Sequence, residues 1–79
     1  MSEINPDLKI DVRGKSCPMP VIETKRAIKK ININQILEVI ADDRASLEDI
    51  PRWCKRTGNQ LLNIKDDGDG IHFFIKRLK

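Results

Sequence analysis

The chain has 79 residues, a size that supports one small domain with a single modest core. Its hydrophobic fraction of 39% and charged fraction of 34% favour a folded domain with a thin apolar interior over a disordered chain. No stretch approaches the roughly 20 apolar residues of a membrane span, and the start lacks the pattern of a signal peptide. We therefore expect one cytoplasmic domain over residues 1–79, with residues 1–7 frayed and no membrane contact.

The net charge is mildly positive, at +3, because fifteen basic side chains are dispersed among twelve acidic ones. This distribution slightly favours an acidic protein partner over direct contact with nucleic acid, and a monomer is the default expectation. The two cysteines, Cys17 and Cys54, are too few for the disulfide framework of a small secreted domain. We expect two free thiols with different roles.

The first half of the chain predicts a strand, a helix and a second strand. Leu8–Val12 alternates apolar and polar residues, which is typical of a strand with one buried face. Pro18 suits the first position of a helix, and the helix is predicted to run from about Pro18 to Ile31. Its buried stripe comprises Val21, Thr24, Ile28 and Ile31. Ile36–Ala41 is rich in β-formers and predicts the next strand.

The second half predicts another helix and a hairpin. Ser46 is a suitable N-cap for a helix that ends near Gly58, and Pro51 predicts an irregular first turn. Two β-like runs, Gln60–Lys65 and Ile71–Leu78, flank a loop whose aspartates and glycines are common in hairpins. The predicted fold is an α/β two-layer sandwich of order βαβαββ, with both helices on one face of a four-stranded mixed sheet.

The run Cys17-Pro18-Met19-Pro20 predicts a reactive thiol at a helix start. With Cys17 as the N-cap, Pro18, Met19 and Pro20 fill the first three helical positions, and only Met19 retains a free amide. That amide and the helix dipole would stabilise a thiolate and lower the pKa of Cys17 towards neutrality. The plainer alternative is that Cys17 is merely a small cap residue.

Charged residues close to this run are candidate electrostatic or partner contacts. Arg13 and Lys15 would lower the pKa of Cys17 further if they folded back towards the sulfur. The other two candidate contacts are Asp42 and Asp43, which follow the second strand.

The remaining chemistry-bearing residues favour structural roles. Cys54 lies on the apolar face of its helix and is predicted to be a small buried hydrophobe. His72 is predicted to be a surface histidine rather than a base for Cys17. Trp53, with the neighbouring basic side chains, is either a binding patch or a side chain covering the core edge. The cysteines lack the spacing of a zinc or thioredoxin-like site, so no metal is expected.

Four segments together resemble the TusA/SirA-like sulfur carrier proteins. They are Asp11-Val12-Arg13-Gly14, Cys17-Pro18-Met19-Pro20, Glu38-Val39-Ile40-Ala41-Asp42-Asp43 and Asp49-Ile50-Pro51. The resemblance extends over nearly the whole chain from Leu8 onward, and it implies the same βαβαββ fold.

The resemblance implies that Cys17 is the persulfide-forming cysteine. It would accept a sulfane sulfur from a cysteine desulfurase or similar donor and pass it to a downstream acceptor protein. In the family this relay serves tRNA thiolation and, in other members, molybdenum-cofactor synthesis or sulfur oxidation. No cofactor is expected beyond the covalent sulfur on Cys17.

Two other functional classes remain open at this point. Cys17 and Cys54 could form a transient disulfide in a thiol redox component, or Trp53 and its basic neighbours could serve a non-catalytic regulatory binding module. The sequence shows no general base or oxyanion site for Cys17. We therefore expect a sulfur-transfer carrier that depends on its partners rather than a stand-alone catalyst.

Overall fold

The computed structural model describes residues 4–79, which form four strands and two helices in the predicted order βαβαββ. The elements are β1 (Leu8–Asp11), α1 (Met19–Ile28), β2 (Ile36–Ala41), α2 (Ser46–Thr57), β3 (Gln60–Asp66) and β4 (Ile71–Lys76). Neither helix in this part of the chain is long and apolar enough to cross a membrane.

The strands form one four-stranded sheet of order β1-β2-β4-β3. β1 and β2 are parallel, with Ile10 opposite Val39, while β4 is antiparallel to both β2 and β3. The loop between Asp66 and Ile71 joins β3 to β4 and is the predicted hairpin connection. The sheet is therefore mixed, as predicted.

Both helices cover the same face of the sheet, because their buried residues belong to one core cluster with alternate residues of the strands. Leu37, Val39, Phe73 and Ile75 are fully buried on that face. The helices contribute Ala27, Ile28, Ile50, Trp53 and Cys54 to the cluster. The predicted two-layer α/β sandwich is thus confirmed.

Helix α1 is shorter than predicted at both ends. It begins at Met19 rather than Pro18, and it ends at Ile28 rather than Ile31. At its end the Lys30 amide donates to the Ala27 carbonyl at 2.9 Å, a tightened turn that stops the regular helical bonding. Ile31 is nevertheless buried, so the predicted apolar stripe extends beyond the helix.

Helix α2 begins with Ala45 as its N-cap, so the prediction that Ser46 caps it is wrong. The Asp43 carboxylate already accepts the Ala45 amide at 3.1 Å, and Ser46 is buried as the first helical residue. The Leu47 and Glu48 amides bond to carbonyls three residues earlier. This tightened first turn agrees with the irregular start predicted from Pro51.

The second sheet face carries His72 between two carboxylates, and its side chain is 18% exposed. Its Nδ1 lies 2.6 Å from Glu38 Oε2, and its Nε2 lies 2.9 Å from Asp67 Oδ2. The antiparallel pairing of β2 with β4 brings Glu38 close to His72 although the two residues are distant in sequence.

Residues 1–7 were predicted to be frayed. Residues 1–3 lie outside the described residues, and the Asp7 amide donates a hydrogen bond to the Ile36 carbonyl.

Candidate functional site

Two loops meet at one edge of the sheet because β1 and β2 are parallel and end side by side. One loop carries Gly14 and Cys17 after β1, and the other carries Asp42 and Asp43 after β2. The Gly14 amide donates to the Asp42 carboxylate at 3.0 Å, and the Cys17 amide donates to Asp43 Oδ2 at 2.7 Å. The two predicted contact residues of the β2 loop therefore fix the backbone that carries the thiol.

Gly14 allows the cysteine loop to turn directly after β1. Its φ of 83° lies in the left-handed region, which is accessible to glycine without steric strain. An added Cβ would meet no atom within 4 Å, so the backbone angle rather than crowding favours glycine here. The Lys15 amide closes the turn by donating to the Val12 carbonyl at 3.2 Å.

The predicted position of Cys17 as the helix N-cap is wrong by one residue. The N-cap is Pro18, which makes no side-chain cap bond, and the helix begins with Met19 and Pro20. The Met19 amide, predicted to face the sulfur, donates instead to the Ser16 carbonyl at 2.9 Å. The loop backbone satisfies the single free amide, so this amide is not available to a thiolate.

The thiol of Cys17 faces a carboxylate from the other helix. Its Sγ lies 3.3 Å from Asp49 Oδ2, close enough for the S–H group to donate a hydrogen bond. This hydrogen bond, some desolvation and the negative charges of Asp49 and Asp43 raise the pKa of Cys17 above its ordinary value. The predicted lowering of the Cys17 pKa is therefore wrong.

The two basic residues predicted to reach the sulfur are engaged elsewhere. Arg13 forms an ion pair with Asp11 at 2.7 Å, and its hydrogen bonds lower the pKa of Asp11 to about 2. Lys15 Nζ lies 3.4 Å from Glu23 Oε2. Both cations therefore contact local carboxylates, and neither compensates the negative charges around Cys17.

A cavity of about 210 Å³ opens beside Cys17 between the two helices. This Cys17 groove is lined by Cys17, Pro18, Val21, Asp49, Arg52, Trp53 and Arg56. Arg52 lies 3.8 Å from Asp49 Oδ1 and 3.7 Å from Glu48 Oε1. Arg56 has no carboxylate within 4 Å in residues 4–79. The groove therefore combines a thiol, an apolar wall and two cations.

Cys54 has the buried position predicted for it. It is 2% exposed and belongs to the core, and burial raises the pKa of its thiol to about 11. Both cysteines are free thiols, but only Cys17 is exposed. The structure therefore disfavours a redox pair of Cys17 and Cys54, because forming it would require the core to open.

Trp53 is part of the core rather than an exposed binding patch. Only 4% of its surface is exposed, although one edge of the side chain contributes to the Cys17 groove. The nearby side chains of Arg52, Lys55 and Arg56 are exposed. A binding module centred on Trp53 is therefore disfavoured, because little of this side chain is accessible to a partner.

Sequence reasoning missed Asp49 as a contact of the thiol. The segment Asp49-Ile50-Pro51 contributed to the family resemblance, but Asp49 was interpreted only as an acidic residue in the first turn of a helix. The available signal was that Asp49 lies close after Ala41-Asp42-Asp43, the other acidic segment of the family resemblance. No group of three or more metal-ligating side chains is arranged to hold an ion in the described part of the chain.

Comparison with known proteins agrees with the fold. A protein-family model described as "Sulfurtransferase TusA" matches residues 8–77. Sulfur carrier protein TusA of Allochromatium vinosum is 37% identical over 71 residues, covering 90% of this chain and 93% of that protein. YedF of Escherichia coli K12 is 34% identical over 77 residues, covering 98% and 100% of the two chains.

The fold also matches a crystal structure. A SirA-like protein from Desulfitobacterium hafniense superimposes with a TM-score of 0.77 and 25% identity, covering 91% of this chain and 99% of that one. Its similarity extends across both layers of the sandwich, since the coverage is nearly complete. Together, the matched residues and this shared fold establish that the chain belongs to the TusA sulfurtransferase family.

Proposed function

We propose that this protein is a sulfur carrier that holds a sulfane sulfur as a persulfide on Cys17. It accepts the sulfur from a cysteine desulfurase or similar donor and passes it to a downstream acceptor, as in tRNA thiolation. The observation that carries the proposal is an exposed Cys17, fixed by Asp43 and open to a groove, in a chain of the TusA family.

The proposed transfer is an exchange at sulfur. The Cys17 thiolate attacks the outer sulfur of a donor persulfide, forming a new S–S bond on Cys17. The S–S bond of the donor breaks, and the donor thiolate leaves and takes up a proton. The products are a Cys17 persulfide and a donor thiol, so no external oxidant or reductant is consumed. Delivery repeats the same exchange, with an acceptor thiol as the nucleophile.

The Cys17 groove supports this proposal by its size and charge. A cavity of about 210 Å³ leaves space beside the thiol for an added sulfur atom. Arg52 and Arg56 supply positive charge in a groove where transferable sulfur carries partial or full negative charge during exchange. The only prosthetic group required by this chemistry is the covalent sulfur itself.

The donor and acceptor must contribute to the proton transfers. The only histidine of the chain, His72, lies between Glu38 and Asp67 on the sheet face opposite the helices. It is therefore not positioned to remove a proton from Cys17. We propose that the protein works as a cytoplasmic monomer that docks in turn with a donor and an acceptor protein.

The test is sulfur loading followed by mass spectrometry. The full chain is incubated with an active cysteine desulfurase and cysteine, and its intact mass should increase by one sulfur atom. Peptide mapping should locate that atom on Cys17, and Cys17→Ala should remove the increase. Cys54→Ala is the matched control and should load as the parent does.

Two results would contradict the proposal. One is an unchanged mass although the desulfurase turns over cysteine in the same mixture. The other is sulfur located on Cys54 instead of Cys17. For the acceptor step, loaded protein should lose its sulfur to a thiol acceptor and return to its original mass.

A further inference from the structure

The contact between Cys17 and Asp49 opposes the thiolate that sulfur transfer requires. Asp49 Oδ2 lies 3.3 Å from Sγ, and Asp43 Oδ2 lies 2.7 Å from the amide nitrogen of the same cysteine. In the described residues no cationic side chain makes a hydrogen bond to Sγ. Ionisation of Cys17 would remove the S–H donor and place a second negative charge against Asp49.

We propose that Asp49 is a positioning residue that keeps the free, unloaded carrier in its thiol form until docking breaks the Cys17–Asp49 hydrogen bond. This inference rests on the proposed function, because it explains how an exposed carrier cysteine stays unreactive between transfers. The chemistry is a hydrogen bond and a charge effect. No S–S bond is made or broken in it, and the proton of the thiol is released when docking breaks the hydrogen bond and the thiolate forms.

The geometry of Asp49 suits this role because its two oxygens have different partners. Oδ2 faces the thiol, while Oδ1 faces Arg52 Nη1 at 3.8 Å. The guanidinium of Arg52 therefore attracts the carboxylate through the oxygen that does not contact the sulfur. Because Arg52 also contacts Glu48 at 3.7 Å, it is shared between two acids and only partly compensates the charge of Asp49.

The location of Asp49 makes the hydrogen bond breakable. The side chain of Asp49 is 28% exposed to solvent, so a partner that enters the Cys17 groove can reach it.

The alternative is a purely structural role. Asp49 is in the first turn of α2, where an acidic side chain interacts favourably with the helix dipole. Glu48 occupies the same turn and also contacts Arg52, but it makes no contact with Cys17. Comparing the two acids therefore separates an effect on the thiol from an effect on the helix.

The experiment measures the rate at which iodoacetamide alkylates Cys17 across neutral and alkaline pH. All variants carry Cys54→Ala, so Cys17 is the only thiol. Asp49→Asn should move the midpoint of the pH profile to lower pH and increase the rate at neutral pH several-fold. Glu48→Gln removes an equal charge from the same turn without removing a contact of Cys17, so it should shift the profile clearly less than Asp49→Asn does. A thermal melt of each variant checks that it is folded, and Asp49→Ser provides a second variant.

Two outcomes would overturn the inference. One is that Cys17 in Asp49→Asn and Asp49→Ser is alkylated with the same pH profile as in the parent. The other is that Glu48→Gln shifts the profile as much as Asp49→Asn does. Sulfur loading by the desulfurase, measured on the same proteins, separates this failure from failure of the proposed function. If the parent loads but its profile is insensitive to Asp49, only the Asp49 inference fails. If the parent never loads, the carrier proposal fails, and the alkylation profile still decides what Asp49 does.

Discussion

The two cysteines of this chain are held in the thiol form by different physical means. Cys17 is exposed, and its pKa is raised mainly by a hydrogen bond to the Asp49 carboxylate. Cys54 is buried, and its pKa is raised to about 11 by desolvation alone. The first effect depends on a few atoms that a partner can displace, whereas the second persists as long as the core stays closed.

This difference assigns the two thiols to different roles. A surface hydrogen bond can be broken locally without cost to the remaining structure. Exposing Cys54 requires disruption of the packing that it shares with Ile50 and Trp53. The residue suited to repeated chemical exchange is therefore Cys17, and Cys54 is suited to filling the core. Three measurements can break or sharpen this comparison.

The largest expected effect is on thiol accessibility. In the Cys17→Ala variant, Cys54 should react with a disulfide reagent only through unfolding, because it is 2% exposed. Its reaction should therefore be slower than that of Cys17 in the Cys54→Ala variant by at least about a thousandfold, the lower end of folding equilibrium constants. Reaction of both variants at similar rates in native buffer would refute the comparison, and denaturant should make their rates equal.

The next effect concerns stability at high pH. The pKa of Cys54 is raised from 9.0 to about 11, so the folded chain retains a proton that the unfolded chain releases. This contribution to stability is fully present below pH 9 and is lost as the pH rises through about 11. The loss should be at most about 3 kcal/mol, because the shift is about two pKa units and each unit corresponds to about 1.36 kcal/mol.

Denaturant unfolding of Cys17→Ala across this range measures that loss with Cys54 as the only thiol. The control is the double variant of Cys17→Ala and Cys54→Ala, which should lack this part of the pH dependence. The chain has no tyrosine, so no phenol ionises in the same window. If the free energy of unfolding of the two proteins falls equally as the pH rises, Cys54 does not titrate as a buried thiol.

The smallest expected effect concerns the support of the Cys17 loop. Asp43→Ala removes the acceptor of the Cys17 amide at 2.7 Å and of the Ala45 amide at 3.1 Å. We expect a loss of about 1 kcal/mol in the free energy of unfolding, because water can replace part of these exposed bonds. Urea denaturation measures this loss, and Asp69→Ala, which removes a carboxylate from the hairpin loop, is the control variant. A loss above about 3 kcal/mol would show that Asp43 supports the core rather than only the loop.

Much of the fold could be predicted from local sequence patterns. The bounds of β2 follow directly from Ile36–Ala41, and α2 ends at Gly58 as predicted, with that glycine in a left-handed conformation. The helix ends were less predictable, because Asp43, rather than Ser46, satisfies the amide at the start of α2. Capping depends on which acceptor lies nearest in space, and neighbouring polar residues compete for that role.

The candidate site was only partly predictable for the same reason. The family motif identified Cys17, but its pKa depends on Asp49, which lies 32 positions further along the chain. Likewise, the contact between His72 and Glu38 exists only because β2 pairs with β4. Sequence patterns predict which residues occupy an element. They do not predict which charged groups meet when two elements pack, and these contacts determine the pKa shifts.

The loop that presents Cys17 is supported through its backbone amides. Asp42 and Asp43 bind the N–H groups of Gly14 and Cys17, and every residue type except proline offers such a group. The side chains of Lys15 and Ser16 are exposed between these two supports and contribute nothing to them. Substitutions at these two positions should therefore change the surface around Cys17 while the backbone that holds its sulfur stays in place.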